Sequence, residues 1–386
     1  MSDSWINCTA CSGRFGAEQS ICPSCGAVNP IWQPHRKTRR SDGKVALVLI
    51  AVSIAAIGTL FLASNALPSW LGDEGETPSI SILPGMRQEP KLVPQEELVS
   101  HALSLINKDR SDFGLGPVKL GSNTAAQVHA EDVFRNKQIS HWLSNGEKPY
   151  MTYSRYGGEG GMGQNVAIAG FSRQQYDQCV NNVFYDCEKI DPIATIEELQ
   201  YEMMYNDLEC CADGHKNNIL NNFRTDVSIG IAYDQYYLVL VQNFENNYGL
   251  DIEVTDQSVT ISGDFDAGAI DHVAIYYDPL PTPETYEANK RLLSYSQGEL
   301  VAAFVKPLPP GFHYEQPEGY TLLVADRWSA LKGSPVDVSF NLAKAVSGDG
   351  VYSVAVIAES KEGESFEAAA YSAVIASESA SPPTTP

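Results

Sequence analysis

The sequence predicts an α/β protein whose central part is a three-layer α-β-α sandwich. Apolar residues recur with a helical period in residues 95–138 and alternate as in strands in residues 227–244. Near the N-terminus, two CxxC pairs predict a small metal-binding module, and a long uncharged stretch after them predicts one transmembrane helix. Beyond residue 248, short strands separated by turn residues predict an all-β, sandwich-like domain.

The N-terminal module, residues 1–30, is predicted to be a zinc ribbon. Its four cysteines are Cys8, Cys11, Cys22 and Cys25. Four thiolates at the corners of a tetrahedron make a closed, structural Zn²⁺ site, so we expect no catalysis there but contact with a cytosolic protein partner. Two disulfides are the alternative, which a reducing cytosolic side disfavours.

The next segments predict a single-pass membrane protein. Residues 31–44 form a basic flank, and residues 45–66 form an apolar stretch long enough to cross the hydrocarbon core of a bilayer. The positive-inside rule places the N-terminus in the cytoplasm, the following domains outside, and the protein in the cell membrane. A cleaved signal peptide ending at Ser64-Asn65-Ala66 is the alternative. Residues 67–94, rich in proline, glycine and acids, predict a stalk.

The formal charge of the chain is −22 over 386 residues. The first 44 residues carry six Lys or Arg against three acids, so the acidic excess lies in the later domains. An acidic surface repels phosphates, and we therefore expect no nucleic-acid partner for these domains.

Periodic apolar residues predict the elements of the central domain. Helices are expected at residues 95–113, 124–138 and 197–208, where apolar side chains repeat at three and four residues. Strands are expected at residues 227–233 and 236–244, which a short turn separates. Helices that flank a small antiparallel sheet give a layered α/β domain.

Four segments of this domain resemble the CAP (SCP) superfamily, which includes cysteine-rich secretory and pathogenesis-related proteins. The segments are Leu105–Arg110 (LINKDR), Ile139-Ser140-His141, Gly163–Ala167 (GQNVA) and Gly214–Asn221 (GHKNNILN). Their order and spacing match along residues 96–245, so we assign residues 95–248 to a CAP-like domain. The resemblance implies an α-β-α sandwich with a central cleft.

The resemblance also implies which residues line this cleft. In the family, two histidines and two acids converge there, and the histidines can hold a divalent metal. His141 and His215 match the histidines, and Asp207 is the best match to one acid. The alternative is that both histidines are structural residues that orient the loops through hydrogen bonds. Gln164 takes the place that the family usually gives to glutamate. An amide neither accepts a proton nor neutralises a metal at ordinary pH, which disfavours hydrolysis.

Two functions follow from this interpretation. The first is a membrane-anchored extracellular module that binds a lipid, glycan, peptide or protein ligand, with a divalent metal in the cleft. The second is a cell-surface metal-dependent hydrolase or peptidase that uses His141 and His215. Gln164 and the lack of a protease motif in the sequence favour binding over catalysis.

Four further cysteines, Cys179, Cys187, Cys210 and Cys211, are expected to form disulfides. Bridges that join each of the adjacent cysteines, Cys210 and Cys211, to one of the other two are favoured over a vicinal bond. The sequence alone does not choose between the connectivities.

The C-terminal part predicts seven short strands in residues 249–376, separated by proline and glycine, as in an immunoglobulin-like β-sandwich. Residues 377–386 are rich in serine, proline and threonine, and a disordered tail is expected there.

Overall fold

The structure is a computed structural model that describes residues 5–7, 14–16, 92–181, 187–255, 257–330 and 335–376. The chain divides into two compact units, Met1–Glu89 and Pro90–Pro386. In the first unit, strands β1 (Trp5–Asn7) and β2 (Arg14–Gly16) form an antiparallel hairpin. The four cysteines of the predicted zinc ribbon lie outside the described residues, so the ribbon stays a prediction.

The predicted fold class needs a correction, because no helix in the described part of the chain is long and apolar enough to cross a membrane. The longest described helix, Gln95–Asp112, carries charged side chains at both ends, which water solvates and lipid does not. Residues 45–66, where the transmembrane helix was predicted, lie outside the described residues. The fold class is therefore corrected to a mixed α and β protein in which sheets predominate. The predicted membrane anchor, cell-membrane location and membrane partner are therefore withdrawn.

The second unit contains a four-stranded sheet in the order β3-β5-β6-β4. Its strands are β3 (Lys119–Leu120), β4 (Gly161–Gly170), β5 (Asp226–Tyr233) and β6 (Tyr237–Asn246). Strand β3 pairs with β5 in parallel, and the other pairs are antiparallel. All ten residues of β6 are buried, as expected for a strand covered on both faces of its sheet.

Helices cover both faces of this sheet. The helices of the second unit are α1 (Gln95–Asp112), α2 (Ala125–Asn136), α3 (Pro149–Arg155), α4 (Arg173–Asn181), α5 (Pro192–Tyr205), α6 (Asp207–Cys211), α7 (Gly214–Ile219) and α8 (Pro283–Asn289). On one face, α1 and α5 pack their apolar side chains against β5 and β6. On the other face, α2 packs against β4 and β6. Gly230 allows this approach, since a Cβ there would lie 2.1 Å from the Ala126 carbonyl oxygen.

Two further sheets follow, and their facing side chains form one apolar core. The strands are β7 (Leu250–Val254), β8 (Ser258–Gly263), β9 (Gly268–Asp278), β10 (Glu299–Val305), β11 (Thr321–Val324), β12 (Arg327–Ser329), β13 (Val336–Asn341), β14 (Gly350–Ser360) and β15 (Ser365–Ile375). One sheet has the order β11-β10-β9-β14-β15, and the other has the order β12-β13-β8-β7. Phe304 and Phe340 stack between them with ring centroids 3.8 Å apart.

The β-sandwich packs directly against the α/β layers. Phe366 stacks on Phe223 with ring centroids 4.2 Å apart, and both rings lie against the sandwich core. Lys148 forms a partly buried ion pair with Asp278, with 2.7 Å between Nζ and Oδ1, and Tyr150 donates a hydrogen bond to the same carboxylate. Lys148 Nζ also donates a hydrogen bond to the carbonyl oxygen of Ser296 at 2.9 Å, which holds the segment between α8 and β10 against α3.

Candidate functional site

The first candidate histidine, His141, lies in the loop after α2. That helix ends at Asn136, and the C-cap residue Lys137 adopts a left-handed conformation with φ of 49°. His129, inside α2 and fully buried, has its Nε2 2.8 Å from the carbonyl oxygen of Ser140. Burial lowers the pKa of His129, so the ring is neutral and donates this hydrogen bond. His129 thereby fixes the backbone immediately before His141.

Gln164 lies on β4, and its Oε1 is 3.1 Å from Nδ1 of His141. Its Nε2 donates to Asn243 Oδ1 at 3.1 Å, across the β4–β6 ladder. An amide oxygen can only accept a hydrogen bond, so with this amide orientation Nδ1 of His141 carries the proton. The lone pair of the imidazole is then on Nε2.

The second candidate histidine, His215, begins the short helix α7. Asp207 is 1% exposed and accepts hydrogen bonds from His215 Nδ1 at 2.6 Å and from the His215 backbone N–H at 2.8 Å. Ala212 and Asp213 adopt left-handed conformations with φ of 53° and 62°. Two such residues reverse the chain between α6 and α7, which returns His215 to Asp207. Because the carboxylate accepts the Nδ1 proton, the lone pair of this imidazole is also on Nε2.

Both imidazoles line one cleft of about 340 Å³, together with Gln164, Asn218, Arg224 and Tyr295. A neighbouring, more apolar pocket of about 330 Å³ shares both histidines and adds Ile139, Val166, Lys290 and Leu292. Three residues of the sequence-based site, His141, Gln164 and His215, therefore line one cleft. The fourth, Asp207, lies behind His215 as its hydrogen-bond acceptor.

The segment between α8 and β10 forms one wall of the cleft. Tyr295 packs on the His141 ring with centroids 5.1 Å apart, and its hydroxyl accepts the backbone N–H of Gln164 at 3.2 Å. Burial raises the pKa of Tyr295 to about 12. Leu293 contributes its backbone carbonyl beside His141, while its side chain is 68% exposed. The β-sandwich thus supplies part of the site.

This enclosure has an electrostatic consequence for His141. Burial lowers its pKa from 6.5 to about 4. Hydrogen bonds that the charged ring would donate to Gln164 and Leu293 partly oppose this effect. Repulsion from the protonated forms of His129 and His215 would lower the pKa of His141 further. His141 is therefore neutral at pH 7, which is the form that coordinates metals.

The cysteines beside the cleft pair differently from the favoured prediction. The structure joins Cys179 to Cys187 and Cys210 to Cys211, and it contains no bridge between the two pairs. Proximity explains the result, since the Cα atoms of Cys179 and Cys187 are 5.7 Å apart and those of the vicinal pair are neighbours in the chain. Cys211 lines the cleft beside His215.

The donor atoms at this cleft are suited to a divalent metal. Two imidazoles, each held at Nδ1 by an oxygen acceptor, leave Nε2 for a metal, as metal-binding histidines usually do. The backbone carbonyl of Leu293 also lies beside His141, so it is an alternative hydrogen-bond acceptor for the ring. A second group is closer together, since one candidate ligand atom from each of Asp207, Cys210, Cys211 and His215 lies within 4.8 Å of the others.

Three of these features were absent from the sequence-based site. His129 is not among the residues that the sequence analysis names, and its role depends on a contact with Ser140, eleven residues later. Tyr295 carries no motif, and its role depends on a contact over 131 residues. The vicinal pairing of Cys210 and Cys211 was considered but not favoured.

Comparisons with known proteins found similarity in solved structures alone. No family model matches the chain, and no curated protein matches it. The chain is 21% identical to an extracellular SCP-domain protein from Bacillus anthracis str. Ames over 40% of this chain and 44% of that one, with a TM-score of 0.27. It is 12% identical to NaASP2, solved with Zn²⁺, over 41% of this chain and 83% of that one, also with a TM-score of 0.27.

A third similar structure, Na-ASP-1, is 13% identical over 41% of each chain, with a TM-score of 0.24. The three neighbours are SCP/CAP domain proteins. The chain covers less than half of the length of the Bacillus protein and of Na-ASP-1.

Proposed function

We propose that this protein is an extracellular CAP-like binding module whose cleft takes a ligand with the help of a divalent metal at His141 and His215. The observation that carries this proposal is the matched setting of the two rings: each has Nδ1 beside a buried oxygen acceptor, so each offers Nε2 to the same cleft. The two disulfides support an oxidising, extracellular environment.

The ligand class follows from the pocket beside the metal site. Ile139, Leu292 and Leu293 are exposed apolar side chains around it, and Lys290 and Arg291 lie among them. Of the four ligand classes that the sequence allowed, a lipid or peptide that carries an apolar group and a negative charge fits this lining best. A bound metal would supply a positive centre for an oxygen of the ligand.

A hydrolase is the second candidate, and the Asp207–His215 pair favours it, since a carboxylate on Nδ1 orients an imidazole that acts as a general base. The other half of the cleft opposes it, because Gln164 can neither accept nor deliver a proton.

The metal is tested by calorimetric titration of ZnCl₂ into the full chain. The background variant carries serine at Cys8, Cys11, Cys22 and Cys25, so that the N-terminal cysteines do not contribute. We expect stoichiometric binding that His141→Ala together with His215→Ala abolishes. The matched control is His272→Ala, which removes a histidine of the β-sandwich. Unchanged binding in the double variant would refute the proposed ligands.

The function is tested on the same protein with a panel of peptide and lipid-ester substrates, with and without a chelator, and with fluorescent fatty acids as binding probes. We expect probe binding that decreases in Leu292→Asp, and no hydrolysis. Chelator-sensitive hydrolysis that is lost in His215→Ala would establish the second candidate instead. Gln164→Glu completes the panel, because hydrolysis gained only in this variant would show that the amide keeps the cleft a binding site.

A further inference from the structure

The four residues Asp207, Cys210, Cys211 and His215 form a compact cluster at the edge of the cleft. Asp207 Oδ1 lies 2.6 Å from His215 Nδ1 and 3.6 Å from Cys210 Sγ. One candidate ligand atom from each residue lies within 4.8 Å of the others. Two sulfurs, one imidazole and one carboxylate are a donor set that Zn²⁺ accepts in a tetrahedral site. Zn²⁺ would displace the proton that His215 Nδ1 shares with Asp207 Oδ1, so His215 would ligate through Nδ1.

Local structure explains why these side chains meet. Asp207, Cys210 and Cys211 occupy the first, fourth and fifth positions of α6, so they lie on one face of a single helical turn. The left-handed residues after Cys211 reverse the chain and place His215 against Asp207. The backbone holds the four residues together without help from a ligand.

In this structure the sulfurs of Cys210 and Cys211 are bonded to each other. A disulfide sulfur is not a thiolate, and the thiolate is the ligand form of cysteine. Reduction would convert the bond to two thiols and allow the sulfurs to separate toward the ~3.8 Å edge that two Zn–S bonds of about 2.3 Å span in a tetrahedron.

We propose that Asp207, Cys210, Cys211 and His215 form a redox-gated site for Zn²⁺, which is closed to metal while the vicinal disulfide is intact and opens when the bond is reduced. The site shares His215 with the cleft proposed above, and it does not require His141.

The gating step is thiol–disulfide exchange with a dithiol. A thiolate of the dithiol attacks Sγ of Cys210, which is the exposed member of the pair, and Cys211 leaves as a thiolate. In the resulting mixed disulfide, the second thiol of the dithiol attacks the sulfur that belongs to the dithiol, and Cys210 leaves as a thiolate. Two electrons pass to the protein, the dithiol becomes a cyclic disulfide, and the two cysteine thiols lose their protons when Zn²⁺ binds. A small-molecule disulfide reverses the reaction and releases the metal.

The test uses the full chain with serine at the four N-terminal cysteines and with His141→Ala, which removes the cleft ligand that the new site does not need. Dithiothreitol reduces the protein, and anaerobic gel filtration removes the reductant before titration with Zn²⁺ or with Co²⁺ as a spectroscopic probe. We expect one metal per reduced chain, thiolate-to-cobalt charge-transfer absorbance, and an apparent affinity that falls more than ~100-fold on reoxidation with glutathione disulfide.

Two variants assign the ligands. Cys210→Ser with Cys211→Ser should lose the charge-transfer band, whereas Cys179→Ser with Cys187→Ser, which removes the other reducible pair, should keep it. Alkylation of the reduced Cys179→Ser, Cys187→Ser chain with iodoacetamide then modifies only Cys210 and Cys211 in a chain that has already folded, and it should abolish the band. A reduced chain without the band, or a band that survives in the Cys210/Cys211 variant, would overturn the proposal.

The outcomes separate this proposal from the cleft function. If the oxidised chain loses zinc binding in His141→Ala, this result tests only the proposed metal site at His141 and His215. Thiolate-dependent binding by the reduced chain concerns only the Cys210–Cys211 site.

Discussion

Replacement of His141 by asparagine should make the stability of the protein less sensitive to acid. The side-chain amide of asparagine has a donor at the position of Nδ1, so it can keep the hydrogen bond to Gln164 while removing the titratable group. The variant therefore isolates the protonation of one buried imidazole.

The magnitude follows from the pKa of His141, which is 6.5 for an exposed imidazole and about 4 in the folded protein. Between these values the unfolded chain binds a proton that the folded chain does not, so the free energy of unfolding rises with pH in this interval. The contribution is present above pH 6.5 and is lost as the pH falls toward 4. From pH 7 to pH 5, this group alone should lower the free energy of unfolding by about 2 kcal/mol.

The assay is urea unfolding at pH 7 and at pH 5, with a chelator in the buffer so that no metal occupies the imidazoles. His129 also has a pKa lowered by burial, so the parent and the variant both retain its contribution. The expected result is a loss between the two pH values that is about 2 kcal/mol smaller in His141→Asn than in the parent.

His272→Asn is the matched control, because this histidine is 30% exposed in its side chain and pairs with Asp271 at the surface. Its pH dependence should follow the parent. Equal losses in the parent and in His141→Asn would refute the reasoning, since they would show that the cleft does not exclude the charged form of His141.

Two further variants test the packing and the support of the site. Phe366→Ala removes a ring that is 7% exposed and stacked on Phe223, and it should lower the free energy of unfolding by about 3 kcal/mol or more. Phe312→Ala, at a position 73% exposed, should change it by less than ~0.5 kcal/mol in the same urea experiment. Asp207→Ala leaves the donors of α7 without their buried acceptor and should lower the free energy of unfolding by about 2 kcal/mol. Asp112→Ala breaks only a surface ion pair and should lower it by ~0.5 kcal/mol or less. Equal effects within either pair of variants would contradict these assignments.

Local sequence patterns predicted the helices and strands where burial follows a regular period. The helix expected at residues 95–113 is Gln95–Asp112, and the strand expected at 236–244 is Tyr237–Asn246. The helix expected at 197–208 begins earlier, at Pro192, because the Asp191 side chain accepts the N–H groups of Ile193 and Ala194. Asp-Pro is a helix-start signal that could have corrected this boundary.

The site was predictable only as far as its motifs reach. His141, Gln164 and His215 each belong to a segment that the resemblance covers. Tyr295 lies in the connection between α8 and β10, and a contact over so many residues leaves no local pattern in the chain. The low pKa of His141 arises from burial to which this covering segment contributes, so no local sequence pattern predicts it.

The two halves of the cleft differ in what they can do with a proton. His215 has a carboxylate on Nδ1, which orients the ring as in sites where an imidazole transfers a proton. His141 has an amide on Nδ1 and a pKa of about 4, so at neutral pH it holds a lone pair and no transferable charge. A general acid opposite His215 would need a group that titrates near the working pH, and neither Gln164 nor His141 is such a group. The chemistry that both halves share is the donation of an Nε2 lone pair, and this is why coordination of a metal, and through it of a ligand, explains the pair of histidines better than hydrolysis does.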